Sequence, residues 1–506
     1  MVLAAFLIGA SFSFAITHLP IKKAFLPRKK WMPLGFLFLL GAFIISVLFF
    51  EGRAKNEKSV SLTQTSLKSE NEQDKKLLII AVDGMTWSVI NPLIESNKLP
   101  NIQRLIESGS FGSLKTIFPT VSPVVWTSIA TGKKYQKHGI TDFLVYPVFG
   151  LKRPLSKFTF ALGLKSTLET MGSVSSPITS TLRAEKAFWN ILTEAGISVG
   201  VVGWWGSWPS EEVNGFMVSD RVLRWISAEY EKNERSIVYP DSLFEEIASR
   251  VKSTSAISGE ELGRFLHLKA DELNAVATGN YNHFSHLKVD KLKVLKVGYN
   301  TDKWRHYVGR YLYETYQPTL FAIYFSGIDA SEHSFWEWME PEYFPDTDKE
   351  DVLKYGDVIE NYYIYQDEII GDFIELLGNK GHILICSDHG HHANRNRSNS
   401  TEPSGIHEDA PDGVFIVSGE GIRKGYKINR VDIYDILPTI LYLSGLPVAK
   451  DMRGRVVEEV FEEYFLDNHP TKYIDSYGPH SASFRTIRSS SDNEVKEQLK
   501  NLGYIQ

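Results

Sequence analysis

LLIIAVDG, residues 77–84, is the stretch that decides the fold of this chain. Six apolar residues in a row have the length of a strand and no polar alternation, which suits a strand covered on both faces in a parallel sheet. The run stops at Asp83-Gly84. Two later stretches repeat the pattern, FAIYFSGID (321–329) and GHILICSDHG (381–390), each an apolar strand running into an aspartate. An amphipathic helix is expected between them, over roughly 350–378. Upstream, Pro100-Asn101 opens a helix that closes at Gly109, and FGSLKTIF (111–118) reads as the next strand. VDIYDILPTILYLSGL (431–446) reads as another helix with Gly445 at its end. Strands alternating with helices give an α/β sandwich around a central, mostly parallel sheet.

In open α/β sheets, ligands sit beyond the carboxyl ends of the strands. Asp83, Asp329 and Asp388-His389 all stand at such ends. One aspartate there often does no more than end a strand, but three such ends, two of them with histidine close by, are harder to dismiss. The single cysteine, Cys386, excludes a disulfide framework and any cysteine-rich metal site, so the ligands must be His, Asp and Glu. In IDASEH, Asp329 and His333 are four residues apart and share a face of one helical turn. In SDHGHH, Asp388 and His389 could hold one ion if the chain turns sharply, as Gly390 would permit. His391 and His392 read as solvated groups or as supports behind the ligands. His407 lies in the loop SGIHEDAPDGVF before a predicted strand.

Ser122 lies in FPTVSPVVWTSIATGKKYQKHGI (118–140), where Pro123 suits the first position of a helix and Ser122 its N-cap. A plain cap is one reading. The other is a phosphate site, because backbone N–H groups and the dipole at a helix N-terminus hold anions. A serine hydroxyl needs a metal or base to attack at neutral pH, and metal ions beside it would meet that need.

The order VDG, P-T-x-S-P-x-x-W-T-S-x-x-T-G, D-x-x-x-H, S-D-H-G and a late His resembles the alkaline-phosphatase superfamily. Within it the chain resembles the type I phosphodiesterase/nucleotide pyrophosphatase branch, over roughly 76–465. VVGWWGSWPSEEVNG (201–215), YDILPTILYLSGLP (434–447) and LKNLGYI (499–505) fit the same branch. The resemblance implies an alkaline-phosphatase-like catalytic domain over 76–470 and two divalent metal ions, with zinc favoured by the His and carboxylate ligands. It implies one ion on Asp83, Ser122, Asp388 and His389, and the other on Asp329, His333 and His407. Ser122 then serves as nucleophile in hydrolysis of a phosphodiester or phosphomonoester, through a phosphoseryl intermediate.

Two departures bear on the substrate. Nucleotide pyrophosphatases typically use a threonine nucleophile, where this chain has Ser122 with Thr120 as the alternative. They also carry an asparagine shortly after the HGI segment, where this chain has Asp142 and Phe143. These departures weaken any claim for nucleotides as substrates, whereas the chemistry stands. Residues 144–320 are expected to form a substrate-facing cap. They include Trp204, Trp205 and Trp208, read as core, together with Arg183, Arg221 and Arg224. Arg395 and Arg397 are better placed to meet an anion, unless they are simply solvated. Residues 471–506 are expected to be a C-terminal tail.

The beginning of the chain reads differently. WMPLGFLFLLGAFIISVLFF (31–50) carries no formal charge and is long enough to span a bilayer. MVLAAFLIGASFSFAITHLPI (1–21) is a second, weaker apolar stretch, so residues 1–50 are expected to anchor the protein by two membrane helices. Lys22, Lys23, Arg28, Lys29 and Lys30 fall between the two stretches, which places that loop in the cytoplasm and the body outside it, periplasmic or extracellular. Residues 51–75 are polar, without apolar period, and read as a flexible linker. Without those five bases the rest of the chain holds 50 basic against 61 acidic residues, a net charge of −11, so no nucleic-acid binding is expected. A different class of function shares this fold and a membrane anchor: a phosphotransferase such as a phosphoethanolamine transferase. A sulfatase is excluded because Cys386 is followed by Ser-Asp-His rather than C-x-P-x-R.

Overall fold

The computed structural model describes residues 76–147, 154–156, 174–223 and 235–501, apart from 255, 283, 380, 410, 481–486 and 490–491. The anchor expected over 1–50, the linker over 51–75, Arg224 and the end of the 499–505 phrase lie outside the described residues. Among the described residues, no helix is long and apolar enough to cross a membrane.

A mixed sheet of nine strands runs through the described residues. These are β1 (Lys76–Val82), β2 (Gly109–Lys115), β3 (Val199–Val202), β4 (Gly215–Val218), β5 (Val238–Tyr239), β6 (Leu320–Phe325), β7 (Gly381–Cys386), β8 (Gly413–Ser418) and β9 (Tyr426–Asp432). Their order is β9-β2-β8-β7-β1-β6-β3-β4-β5. β1 lies between β7 and β6, parallel to both, with Ile80 opposite Ile385 and Ile323. β8 runs antiparallel to β7 and β2, and β5 antiparallel to β4. Since β8 reverses between two strands, β2 is parallel to β7, and the remaining strands share that direction.

The apolar run of β1 is divided by the pleat, as period-2 geometry requires. Leu78, Ile80 and Val82 belong to one core, and Leu77, Ile79 and Ala81 to the other. The first core is covered by α1 (Pro100–Ser108), α3 (His286–Tyr316), α4 (Gly327–Met339) and α5 (Val358–Leu377), through residues such as Ile102, Val308, Phe335 and Ile370. The second is covered by α2 (Ser122–Thr131) and α6 (Ile436–Leu443), through Val125, Trp126, Leu437 and Ile440. Each such side chain contributes roughly 1.5–3 kcal/mol by leaving water.

Several expected elements need correction. The strand expected at 111–118 is Gly109–Lys115, and Thr116 onward leads into α2. The helix expected at 350–378 is two, Lys349–Tyr355 and α5, separated at Gly356-Asp357. The helix expected at 431–446 starts only at Ile436, because Val431 and Asp432 complete β9 and the Asp432 carboxylate accepts the Tyr434 N–H in a short turn. Residues 144–320 are not solely a cap, since they supply β3, β4 and β5 to the sheet and α3 to one of its faces. Nor is 471–506 simply a tail. Tyr473–Ile474 pairs with Val448–Ala449, and a helix over Asp492–Asn501 is held by Arg221, whose guanidinium is 2.9 Å from Asp492. The tryptophans pack as expected: Trp204 is fully buried against Trp126, Phe188 and Trp189.

Candidate metal centre and active site

The parallel sheet brings the carboxyl ends of β1, β2, β6 and β7 to one edge, and antiparallel β8 starts there. Asp83 directly follows β1, and its backbone N–H bonds the Phe325 carbonyl at the end of β6, 2.9 Å away. Asp388 and His389 follow β7. Asp329 and His333 lie one turn apart on α4, which begins just past β6. His407 precedes β8. The close approach of these segments depends on Gly84, whose φ is +79° and whose absent side chain leaves room for Asp329. A Cβ there would stand 2.8 Å from the Asp329 Cα. Gly390 serves differently from the expected sharp turn. It lets the chain pass the Asp412 carbonyl, which a Cβ would meet at 2.7 Å.

The side chains converge. The Oδ1 atom of Asp329 is 3.5 Å from Nε2 of His333, 3.5 Å from Nε2 of His391 and 3.9 Å from Nε2 of His389. His389 Nε2 is in turn 3.3 Å from Asp83 and 3.5 Å from Asp388. The His407 ring stacks on His389 at 3.9 Å and lies 5.0 Å from His333. Two groups have ligand atoms within 4.8 Å of one another: Asp329, His333, His391 and His407, and separately Asp83, Asp329 and His389. Six of the seven expected site residues thus meet at this edge, with Asp329 in both groups.

The seventh, Ser122, is the first residue of α2 and is buried. The N-cap is Val121 rather than Ser122, so the serine stands one position inside the helix with Pro123 after it. One turn on, Trp126 packs edge-on against Tyr324 at 5.3 Å, and the Tyr324 hydroxyl donates to Asp83. The helix that starts at Ser122 is thereby tied to the Asp83 wall of the cluster.

The chemistry of the donor set fits a metal. His333 Nδ1 is 2.8 Å from the Gly405 carbonyl and His389 Nδ1 is 3.2 Å from the Gly390 carbonyl. Each contact places the ring proton on Nδ1 and turns the Nε2 lone pair toward carboxylate oxygens. Lone pairs facing lone pairs in a buried cluster call for a cation. Burial, reinforced by Asp83 and Asp329, pushes the Asp388 carboxyl well above the usual range. Burial and the neighbouring imidazoles push His391 and His407 well below their ordinary value, so these rings stay neutral, the form that binds metal.

Two residues escaped the sequence reading. His391, expected to be solvated or to support the ligands from behind, is buried and faces the cluster. Glu332 is fully buried beside it. The signal was present in IDASEH, because Asp329, Glu332 and His333 at i, i+3 and i+4 share one helical face. His392 does lie outside, paired with Asp409 at 2.6 Å. Arg397 is engaged by Glu337, whereas Arg395 is exposed and lies 3.7 Å over Tyr343.

The sequence profile of the type I phosphodiesterase / nucleotide pyrophosphatase family matches residues 77–437. No curated protein matches the chain in sequence. Among solved structures, the chain is similar to human ectonucleotide pyrophosphatase / phosphodiesterase 5 at 12% identity, covering 77% of this chain and 100% of that one, with a TM-score of 0.44. It is also similar to phosphonoacetate hydrolase from Sinorhizobium meliloti 1021, at 13% identity over 69% of this chain and 63% of that one, with a TM-score of 0.34.

Proposed function

The chain belongs to the type I phosphodiesterase / nucleotide pyrophosphatase family, a family of hydrolases, and on that premise we propose that it cleaves phosphate esters with Ser122 as nucleophile and two divalent ions as cofactors. The observation that carries this reading is the buried Asp/His cluster in which Asp329 is common to two ligand groups. Asp83, Asp388, His389 and Ser122 would hold one ion, and Asp329, His333 and His407 the other. Zinc is favoured by the imidazole share of the donors. When bound, such a pair of ions supplies charge neutralisation for the attacking and leaving oxygens of an in-line displacement.

The chain's own residues do the rest. The N-terminus of α2 presents Ser122 together with backbone N–H groups suited to phosphate oxygens. Phosphorus is attacked by the Ser122 oxygen, the bond to the leaving oxygen breaks, and water later cleaves the phosphoserine. Burial of the cluster keeps bulk water away from the charged groups and strengthens every interaction among them. Residues 1–50 would tether this body to the outer face of a membrane, a reading that rests on the apolar stretches and the Lys22–Lys30 loop.

The test is a panel of aryl phosphate monoesters and diesters, nucleotides and phospholipids, offered to the full-length protein in detergent before and after chelation. Turnover that vanishes with chelator and returns with zinc supports the reading. Product that appears only when an acceptor alcohol is added would favour the phosphotransferase instead.

A further inference from the structure

We propose that His391 is a direct ligand of the same ion as Asp329, His333 and His407, and that Glu332 is the residue that positions it. This deepens the metal-centre reading and rests on it. His391 Nε2 lies 3.5 Å from Asp329 Oδ1, the same distance as His333 Nε2. The ring is buried, and neither of its nitrogens has a hydrogen-bond partner. A histidine buried only for packing satisfies both ring nitrogens. This one turns an unsatisfied nitrogen toward a carboxylate and the rings of His333 and His407, 4.6 and 4.9 Å away.

The other side of the ring is built to hold it there. Nδ1 of His391 is 2.9 Å from Glu332 Oε2. The second oxygen of Glu332 accepts the Tyr363 hydroxyl at 2.8 Å, and that hydroxyl accepts the Thr86 N–H at 2.9 Å. Trp336, one turn beyond Glu332 on α4, lies nearly parallel to the His391 ring at 6.3 Å. A carboxylate 2.9 Å from Nδ1 favours the ring proton on that side and Nε2 as the basic donor, as behind metal-bound histidines. Glu332 does not itself belong to either ligand group, and a buried carboxylate this close to Asp329 has no gain in burial alone. With His391 included, three imidazoles and one carboxylate surround this ion. Substrate would then meet this ion only if the ion accepted a fifth ligand, as zinc can.

The test is metal binding by the full-length protein in detergent, stripped with chelator and titrated with Zn2+ or Co2+ under equilibrium dialysis. His391→Ala should lose about one ion, and its Co2+ form should show shifted visible absorption bands, which a merely structural role would not move. Glu332→Gln, which keeps the volume, should weaken that ion about 10–100-fold while leaving the other in place. If His391→Ala keeps both ions at wild-type affinity with unchanged bands while His333→Ala loses one, this inference is overturned and the metal centre stands. If His333→Ala also binds as wild type, the metal-centre reading itself falls. Should His391→Ala fail to fold, Glu332→Gln decides alone: unchanged affinity overturns the positioning role.

Discussion

Gly84→Ala tests whether the approach of β1's end to α4 is what assembles the site. Two effects combine at this position. The backbone at φ +79° disfavours any side chain, by about 1–2 kcal/mol. The new Cβ would also stand 2.8 Å from the Asp329 Cα and 2.9 Å from its Cβ. Non-bonded carbons settle at about 3.5–4.0 Å, so Asp329 must retreat by roughly 0.7 Å. That retreat is resisted, because Asp302 holds the first turn of α4 by accepting the N–H groups of Ser326 at 3.1 Å and Gly327 at 2.8 Å. Overpacking of this kind adds about 1–3 kcal/mol, for a total near 2–5 kcal/mol. Gly279→Ala is the control. It has φ +82°, and its nearest atom is the Lys296 Nζ at 4.0 Å, so it carries the backbone effect alone. Urea denaturation in excess metal should show a loss of about 1 kcal/mol for Gly279→Ala with turnover unchanged. Gly84→Ala should lose more, and turnover on an aryl phosphate should fall on the order of a hundredfold, since Asp329 is common to both ligand groups. Equal stability losses in the two variants, with turnover intact in Gly84→Ala, would refute the reasoning.

Three further outcomes are expected. Ser122→Ala should lower turnover by at least about a thousandfold while bound metal stays close to two ions per chain, measured by elemental analysis. A loss seen with Thr120→Ala in its place would move the nucleophile. His407→Ala and Asp329→Ala should each lower metal content by about one ion, since both residues are assigned to the same ion. His138 gives a pH signature. Its Nδ1 accepts the Ile140 N–H at 3.2 Å and its Nε2 faces the Ser128 hydroxyl at 3.0 Å, so the ring is neutral. Burial, helped by Arg183, lowers its pKa to about 3 from 6.5. The stabilisation from this group is complete above pH 6.5 and is lost as pH falls toward 3, where the unfolded chain binds a proton that the fold does not, at about 1.4 kcal/mol per pH unit. Stability of wild type and His138→Gln should therefore converge between pH 7 and 5 in urea titrations, and a constant gap would contradict this.

What the sequence made legible follows from local chemistry. Asp83 and Asp388-His389 could be read because an unbroken apolar run is unlike its polar end, and Asp329–His333 because four residues make a helical turn. The strands β3, β4 and β5 could not be read, since runs such as VGVV (199–202) and GFMV (215–218) are too short to stand out from loop. Residues 144–320, which the resemblance implies to be a cap, complete the sheet. His391 escaped for another reason. Its neighbour Glu332 is distant in sequence, and nothing in SDHGHH distinguishes a ring facing Asp329 from one facing water.

The long helix α3 shows where a hydrophobic period fails to predict structure. Asn300, Thr301, Asp302 and Arg305 are buried on it, so its apolar stripe is broken by polar residues. Of these, Asp302 and Arg305 fix α4. Asp302 accepts the Ser326 and Gly327 N–H groups and the Tyr362 hydroxyl, the last at 3.1 Å, and Arg305 donates to the Ser326 hydroxyl at 3.0 Å. Hydrogen bonds to a buried charged group are worth about 1.5–3 kcal/mol each, more than most single apolar contacts. The network holds Ser326 and Gly327, and through them Asp329 two residues on. A leucine at 302 would improve the helical pattern, yet it would leave the first turn of α4 without its acceptor. Asp302 and Arg305 thus support the carboxylate common to the two candidate ligand groups, and the break in apolar period there goes with that support.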